Sequence, residues 1–437
     1  MNLEGIKRFM AAAKRSTHKR ELIVSQKGSY VIITLYVVII LLSSLLFNTP
    51  KEIILGMKKI VLAPSILLTD YMELANIGAA LFNSGLIMLA AIIIGKYNKV
   101  NMSGPIVATI LTIGGFGLFG KNIYNIWSIF LGVYLFSLTQ KHKFNRYIVI
   151  AFFGTALGPL VSQISFGFDF SPLVGIVLGN LAGVVGGIIL PALANHFVSF
   201  HQGFNLYNVG FTAGIIATFF MSMLRAFGFE NRDTSIILQG SNKGLGIYFG
   251  IFFGSMILIG WILNGRRFRR YKRLLASSGR LVSDFITIYG FGLSLINMGI
   301  LGIGAILYIL IVKGDLNGIT IGAAFTVVGF GAFGKHLRNT IPIVLGVYLA
   351  SLLKIFDANS VTTILAALFG TTLAPIAGTF GWGAGILAGF LHSSVVMNVG
   401  YLHGGMNLYN NGFAGGLVAA VLVPIIESFR KDNDYEV

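Results

Sequence analysis

Cysteine is absent from this chain, which removes disulfides and thiol chemistry from consideration. Charge is scarce: Asp, Glu, Lys and Arg make up 11% of 437 residues, and only 15 residues are acidic, against about a quarter charged in an ordinary soluble domain. An acidic metal-ligand cluster, H-E-x-x-H, a P-loop and a G-x-S-x-G elbow are all missing, which argues against an enzyme or an ATP-driven pump, and against a cofactor or metal. So are the ten-residue alternating segments that a membrane barrel requires.

What fills the chain instead is apolar: 55% hydrophobic residues, 56 glycines and a mean hydropathy of +0.82. That much apolar surface does not fit inside a soluble core, so lipid is the expected solvent. Runs such as 29–47 and 245–264 approach the roughly 20 residues a helix needs to cross the hydrocarbon, and a helix satisfies its own backbone there. The expected fold is an all-α polytopic membrane protein.

The net charge of +17 comes from loops flanking the apolar runs. Seven basic residues lie in the N-terminal arm (Lys7, Arg8, Lys14, Arg15, Lys19, Arg20, Lys27) and six in RRFRRYKR at 266–273, with Arg280 close behind. They read as cytoplasmic anchors against anionic lipid, not as a nucleic-acid surface. The first apolar run follows the basic arm without a small-residue cleavage site and reads as a retained helix.

Self-similarity is strong. Asp70, Gly78, Asn83 and Gly85 recur as Asp284, Gly292, Asn297 and Gly299, an offset of 214 residues, and GGFGLFGKNIYN (114–125) recurs as VGFGAFGKHLRN (328–339) in the same register. FGTALGP (153–159) pairs with FGTTLAP (369–375), and HQGFNLYNVGF (201–211) with HGGMNLYNNGF (403–413). Helices are expected near 74–95, 103–120, 124–139, 147–166, 171–194 and 205–227, and again near 288–313, 318–334, 340–355, 360–378, 380–400 and 407–427. With the basic arm inside, Lys96, Lys99, the 141–146 cluster and RRFRRYKR all fall on the cytoplasmic side, and equivalent helices run in opposite directions. The loops agree: the basic 141–146 cluster has only Lys354 and Asp357 as its counterpart, while Arg338 appears after the second FGK block. An inverted repeat explains that exchange.

The division expected is therefore a basic cytoplasmic arm (1–28), a first transmembrane helix with an interfacial segment (29–69), repeat 1 (70–227), a linking helix with a basic loop (228–283), repeat 2 (284–427) and a cytoplasmic tail (428–437). The amphipathic stretches 52–69 and 268–283 suit the membrane interface.

Three constellations carry candidate chemistry. G-F-G-x-F-G-K supplies Gly115, Gly117 and Gly120, repeated as Gly329, Gly331 and Gly334, as helix-break positions, and Lys121 and Lys335 as charges beside them. A broken helix exposes amides to an anionic group; the alternative is close packing with snorkelling lysines. H-x-G-x-N-L-Y-N supplies His201, Asn205, Tyr207 and Asn208, matched by His403, Asn407, Tyr409 and Asn410. Such groups in an apolar helix line a cavity or glue helices together. Asp70 and Asp284 precede helices carrying Asn83 and Asn297, and read either as caps or as proton- or sodium-coupling carboxylates. His201, His403 and His392, the last standing where the first half has Leu190, are further coupling candidates; His392 reads otherwise as a residue bonded to backbone.

On the duplicated FGK and NLYN blocks, residues 70–427 resemble a bacterial multipass membrane protein family of unknown function (domain of unknown function 1576), which brings no activity with it. F-N-S-G at 82–85 and the Gly- and Asn-rich helix starts are distantly similar to the urea transporter pattern, which implies an uncharged polar solute. Inverted repeats are a construction principle of secondary transporters and some channels. The expectation is a transporter or channel in the cytoplasmic membrane, both termini cytoplasmic, that moves a small polar solute between the repeats along a pathway lined or gated by Asn83, Asn297, Asn205, Asn407, Tyr207, Tyr409, Asn208, Asn410, Lys121 and Lys335; a homo-oligomer is compatible with it. The alternative is a membrane scaffold or lipid-handling protein whose polar pairs only glue helices.

Overall fold

The computed structural model describes residues 24–231, 235–353 and 356–434, the side chains of 431–434 excepted. Six of the basic-arm residues, from Lys7 to Arg20, and Lys354 lie outside the described residues, as does the end of the 428–437 tail.

Helix starts follow local chemistry. The Ser25 hydroxyl accepts from Gly28 N to begin α1 (Gln26–Phe47), and a reciprocal Thr49–Glu52 capping box with Pro50 at the first turn begins the interfacial α2 (Pro50–Leu62). The first half continues through α3 (Tyr71–Leu74), α4 (Ile77–Tyr97), α5 (Gly104–Phe116), α6 (Trp127–Thr139), α7 (Ile148–Gly154), α8 (Gly158–Phe166), α9 (Pro172–Phe200) and α10 (Asn208–Ala226). The second consists of α11 (Asn242–Leu263), α12 (Tyr271–Leu275), α13 (Phe285–Tyr289), α14 (Phe291–Ile311), α15 (Gly318–Phe330), α16 (Leu337–Leu353), α17 (Val361–Gly370), α18 (Ala374–Phe380), α19 (Trp382–Val399) and α20 (Asn410–Asp434). With α7–α8 and α17–α18 each taken as one rod, ten helices among the described residues are long and apolar enough to span a membrane. Apolar side chains such as Leu46 and Ile311 stand 77% and 76% exposed on the outside, while Asn83, Lys121 and His403 are fully buried. That inside-out distribution is what lipid as solvent selects.

The duplication is wider than the sequence division. α11 was expected as a linking helix outside the repeats, yet it packs along α14 as α1 packs along α4. A Cβ on Gly85 would come 2.8 Å from Leu41 Cβ, and one on its counterpart Gly299 2.7 Å from Ile257 Cγ1; Gly78 meets Ser44 O just as Gly292 meets Gly260 O. The first helix therefore belongs to each repeat. Composition hid this because α1 and α11 share only apolar character, with the glycines that register them lying on the partner helix.

The two repeats meet along α5 and α15, which run antiparallel. Gly104 lies against Ala332 O, Gly115 against Gly322 O, and Gly318 against Leu118 O, each so closely that an added Cβ would sit 2.3, 2.4 and 2.6 Å from the carbonyl. Gly115 and Gly329 are thus packing positions inside helices rather than breaks.

Each end of this seam is capped by a carboxylate from the opposite repeat. Asp284 Oδ1 accepts from Gly104 N at 2.9 Å, and both Asp70 oxygens accept from Gly318 N at 3.1–3.2 Å. Asp70 also caps its own helix through Met72 N and takes Leu238 N; Asp284 takes Thr287 N and its hydroxyl. Asp70 meets only backbone amides, and Asp284 meets two backbone amides and the Thr287 hydroxyl, so in this structure both carboxylates serve as caps.

Loss of a cap costs about 0.5–2 kcal/mol. Asp70 is fully buried and Asp284 partly exposed, so thermal unfolding in detergent should show Asp70→Ala near or above the top of that range and Asp284→Ala near the middle. Equal losses would contradict this reading of the seam.

Candidate functional site

The FGK blocks end α5 and α15 and turn the chain back. Gly117 and Gly331 are the C-cap residues, while Gly120 (φ +68°) and Gly334 (φ +101°) adopt left-handed backbone that glycine accepts without strain. The freed carbonyls are collected by asparagine. Asn83 Nδ2 donates to Gly117 O (2.7 Å) and Lys121 O (2.9 Å), and Asn297 Nδ2 donates to Gly331 O (2.7 Å) and Lys335 O (2.8 Å). Asn125 and Asn339 close the same loops onto Gly120 O and Gly334 O. Asn83 and Asn297 therefore brace the breaks from behind rather than line a pathway.

Those braced loops aim both lysines inward. Lys121 and Lys335 are 1% and 0% exposed, and neither ammonium meets a carboxylate among the described residues. Lys121 Nζ donates to Thr155 Oγ1 at 2.6 Å; Lys335 Nζ donates to Thr371 Oγ1 at 2.7 Å and to Tyr207 Oη at 2.5 Å. The threonine protons are already given to the carbonyls of Phe152 and Leu368, so those hydroxyls act as acceptors. An ammonium has three donors; Lys121 uses one and Lys335 two. The phenol matching Tyr207, that of Tyr409, is buried with no hydrogen-bond partner, as is Thr112 Oγ1.

Between the lysines lies an aromatic cluster of three pseudo-equivalent pairs: Phe116 with Phe330, Phe153 with Phe369, and Tyr207 with Tyr409. Ring centroids are 5.0 Å apart for Tyr207–Tyr409 and 4.7 Å for both Phe116–Tyr409 and Tyr207–Phe330. Lys121 Nζ lies 5.2 Å from the Phe116 centroid, and Lys335 Nζ 4.4 Å from that of Tyr207. Ring faces thus take part of the charge that no anion takes.

The NLYN blocks carry the tyrosines here, but their other polar residues bind backbone. Asn205 Nδ2 donates to Gly412 O across the repeat interface at 2.9 Å while its Oδ1 accepts from Thr372 Oγ1 (2.6 Å) and Tyr207 N; Asn407 mirrors it with Gly210 O at 3.3 Å and Tyr409 N. His201 and His403 each bond through Nε2 to the Asn of their own block, Asn208 and Asn410, whose amides tie to Ala194 O and Val396 O. His392 bonds to Asn411 in the niche that Leu190 fills in the first half. These residues join helices.

Sequence reasoning missed Thr155 and Thr371. They stood inside a repeat block read only as repetition, and nothing local marks a threonine as the acceptor for a lysine 34 or 36 residues away. Replacing Asn205 by Ala leaves a buried carbonyl and a hydroxyl unmatched, a penalty of about 1–3 kcal/mol. Asn205→Ala should therefore lower the melting temperature more than Asn407→Ala, which loses a longer bond and no threonine partner; the opposite order would refute the clamp.

A family model described as "Protein of unknown function (DUF1576)" matches residues 49–226 and 263–428. No curated protein and no solved structure matches the chain, and the similarity to urea transporters has no support among these comparisons.

Proposed function

The chain belongs to that family of unknown function, and we propose from the site itself that it is a transporter or channel moving a small polar solute across the cytoplasmic membrane between its two repeats. The observation that carries the proposal is the pair of fully buried lysines facing the repeat interface with no counter-ion among the described residues.

An isolated buried charge is costly in protein and more so in lipid, and ionisable groups retained there serve a solute or ion path. Unused ammonium donors beside hydroxyls suit a solute that brings negative charge or lone pairs. The aromatic cluster then acts as the seal, with one lysine on either side of it. Antiparallel packing of α5 on α15 is what a two-fold axis in the membrane plane produces, and the basic loops at 96–99, 141–146 and 266–273 fall on one side in that arrangement. Both termini are then cytoplasmic.

A pure scaffold accounts for the asparagine clamps. It gives no reason to keep two lysines where an apolar side chain would pack more cheaply. The test is flux in proteoliposomes for chloride, formate, acetate and urea, in the native chain and in Lys121→Met and Lys335→Met. Each substitution should cut anion flux at least about tenfold while leaving the melting temperature level or raised, because it removes a charge that nothing neutralises. Loss of fold with no flux in the native protein would favour the scaffold.

A further inference from the structure

The two repeats differ sharply in one place. Between α14 and α16 an apolar groove of about 410 Å³ runs inward from a mouth of exposed Leu307, Ile311, Ile341 and Leu345 to a floor at Thr371. The equivalent positions in repeat 1 enclose about 10 Å³, because Trp127, Phe130 and Phe152 stand where repeat 2 has Ile341, Val344 and Leu368. The groove is therefore made by particular side chains, not required by the shared fold. Its size lies within the range of about 300–1,000 Å³ typical of small-molecule sites.

Four polar side chains break its apolar wall: Thr340, whose hydroxyl is given to His336 O, the exposed Tyr348, and the two that matter here, Thr371 and Tyr308. Thr371 at the floor is the hydroxyl that receives Lys335 Nζ at 2.7 Å. Tyr308 replaces Ile94 of repeat 1, and its phenol oxygen is buried without a partner. A second groove of similar size, lined by Leu41, Ile53 and Phe82 between α1 and α2, has Ser44 as its one polar side chain, and that hydroxyl is already given to Leu41 O.

We propose that the repeat 2 groove binds a carboxylate with a short hydrocarbon tail, the tail lying in the groove and the carboxylate accepting from the Tyr308 phenol and from the unused donor of Lys335 beyond Thr371. This names the solute class for the transport reading above and rests on it. Donor chemistry selects the occupant: Lys335, with one donor unused and no carboxylate beside it among the described residues, lies one hydroxyl beyond an apolar slot, so an acidic amphiphile satisfies both. Access from the side of the bilayer suits a molecule that partitions into lipid.

The experiment follows thermal unfolding of the full chain in phosphatidylcholine nanodiscs by circular dichroism. The probes are linear saturated carboxylates from acetate to octanoate and the primary alcohols of the same lengths. Acids should stabilise with affinity rising about fourfold per added methylene, and alcohols should not. The double variant Ile341→Trp/Val344→Phe, which installs the repeat 1 side chains, should lose the length dependence yet keep acetate binding. Tyr308→Phe, which leaves the groove volume almost unchanged, should weaken every acid severalfold and serves if the double variant does not fold. Alcohols that stabilise as well as acids, or a length dependence surviving in the double variant, overturn the proposal. Flux distinguishes the two readings: acetate transport without length-dependent binding fells the groove alone, whereas length-dependent binding without transport fells the transporter and leaves the groove standing.

Discussion

The contact between α5 and α15 sets the limits for everything around it. Two helices that approach until glycine faces carbonyl leave no room for a Cβ at Gly104, Gly115, Gly318 or Gly322, and their starts would hold unsatisfied amides in an apolar interior. Asp284 and Asp70 meet those amides from the opposite repeat, so neither half completes its own seam helix. The loops, lysines and aromatic cluster are all positioned from the far ends of these two helices.

From that seam the chemistry of the centre follows. The turn after each helix must dispose of several carbonyls, and Asn83 and Asn297 do so with one amide each. With its backbone satisfied, the turn can hold a lysine in a place that charge alone would never choose. Threonine hydroxyls and ring faces recover part of the lost hydration, and the remainder is the energetic reason to expect a solute with negative charge or lone pairs. Pseudo-symmetry stops at the outer edge of this centre, where Tyr308, Ile341 and Val344 open a space that Ile94, Trp127 and Phe130 close.

Much of the arrangement was legible in the residues. Helix positions followed from apolar runs, and the duplication from identical polar blocks at constant spacing. The roles of single polar residues were not. Asn83, Asn205 and their partners were read as pathway lining because a polar group in an apolar helix looks the same whether it meets a solute or a carbonyl. Asp70 and Asp284 were recognised as capping candidates, but local sequence names only the helix that follows, whereas each also caps a helix about 180 or 248 residues away. Gly115 and Gly329 fell in a glycine-rich stretch together with Gly120 and Gly334; only the backbone angles separate packing from turning.

By itself the sequence determined that the chain is a helical, multipass membrane protein made of two related halves, since hydropathy, length and repetition are properties of order along the chain. Tertiary structure alone decided which helices pack together in each half, which groups face one another across the interface, and that two lysines share one aromatic centre with no carboxylate beside them among the described residues. Those outcomes depend on approach distances between segments remote in sequence, and the energy of a buried charge is set by what surrounds it in space.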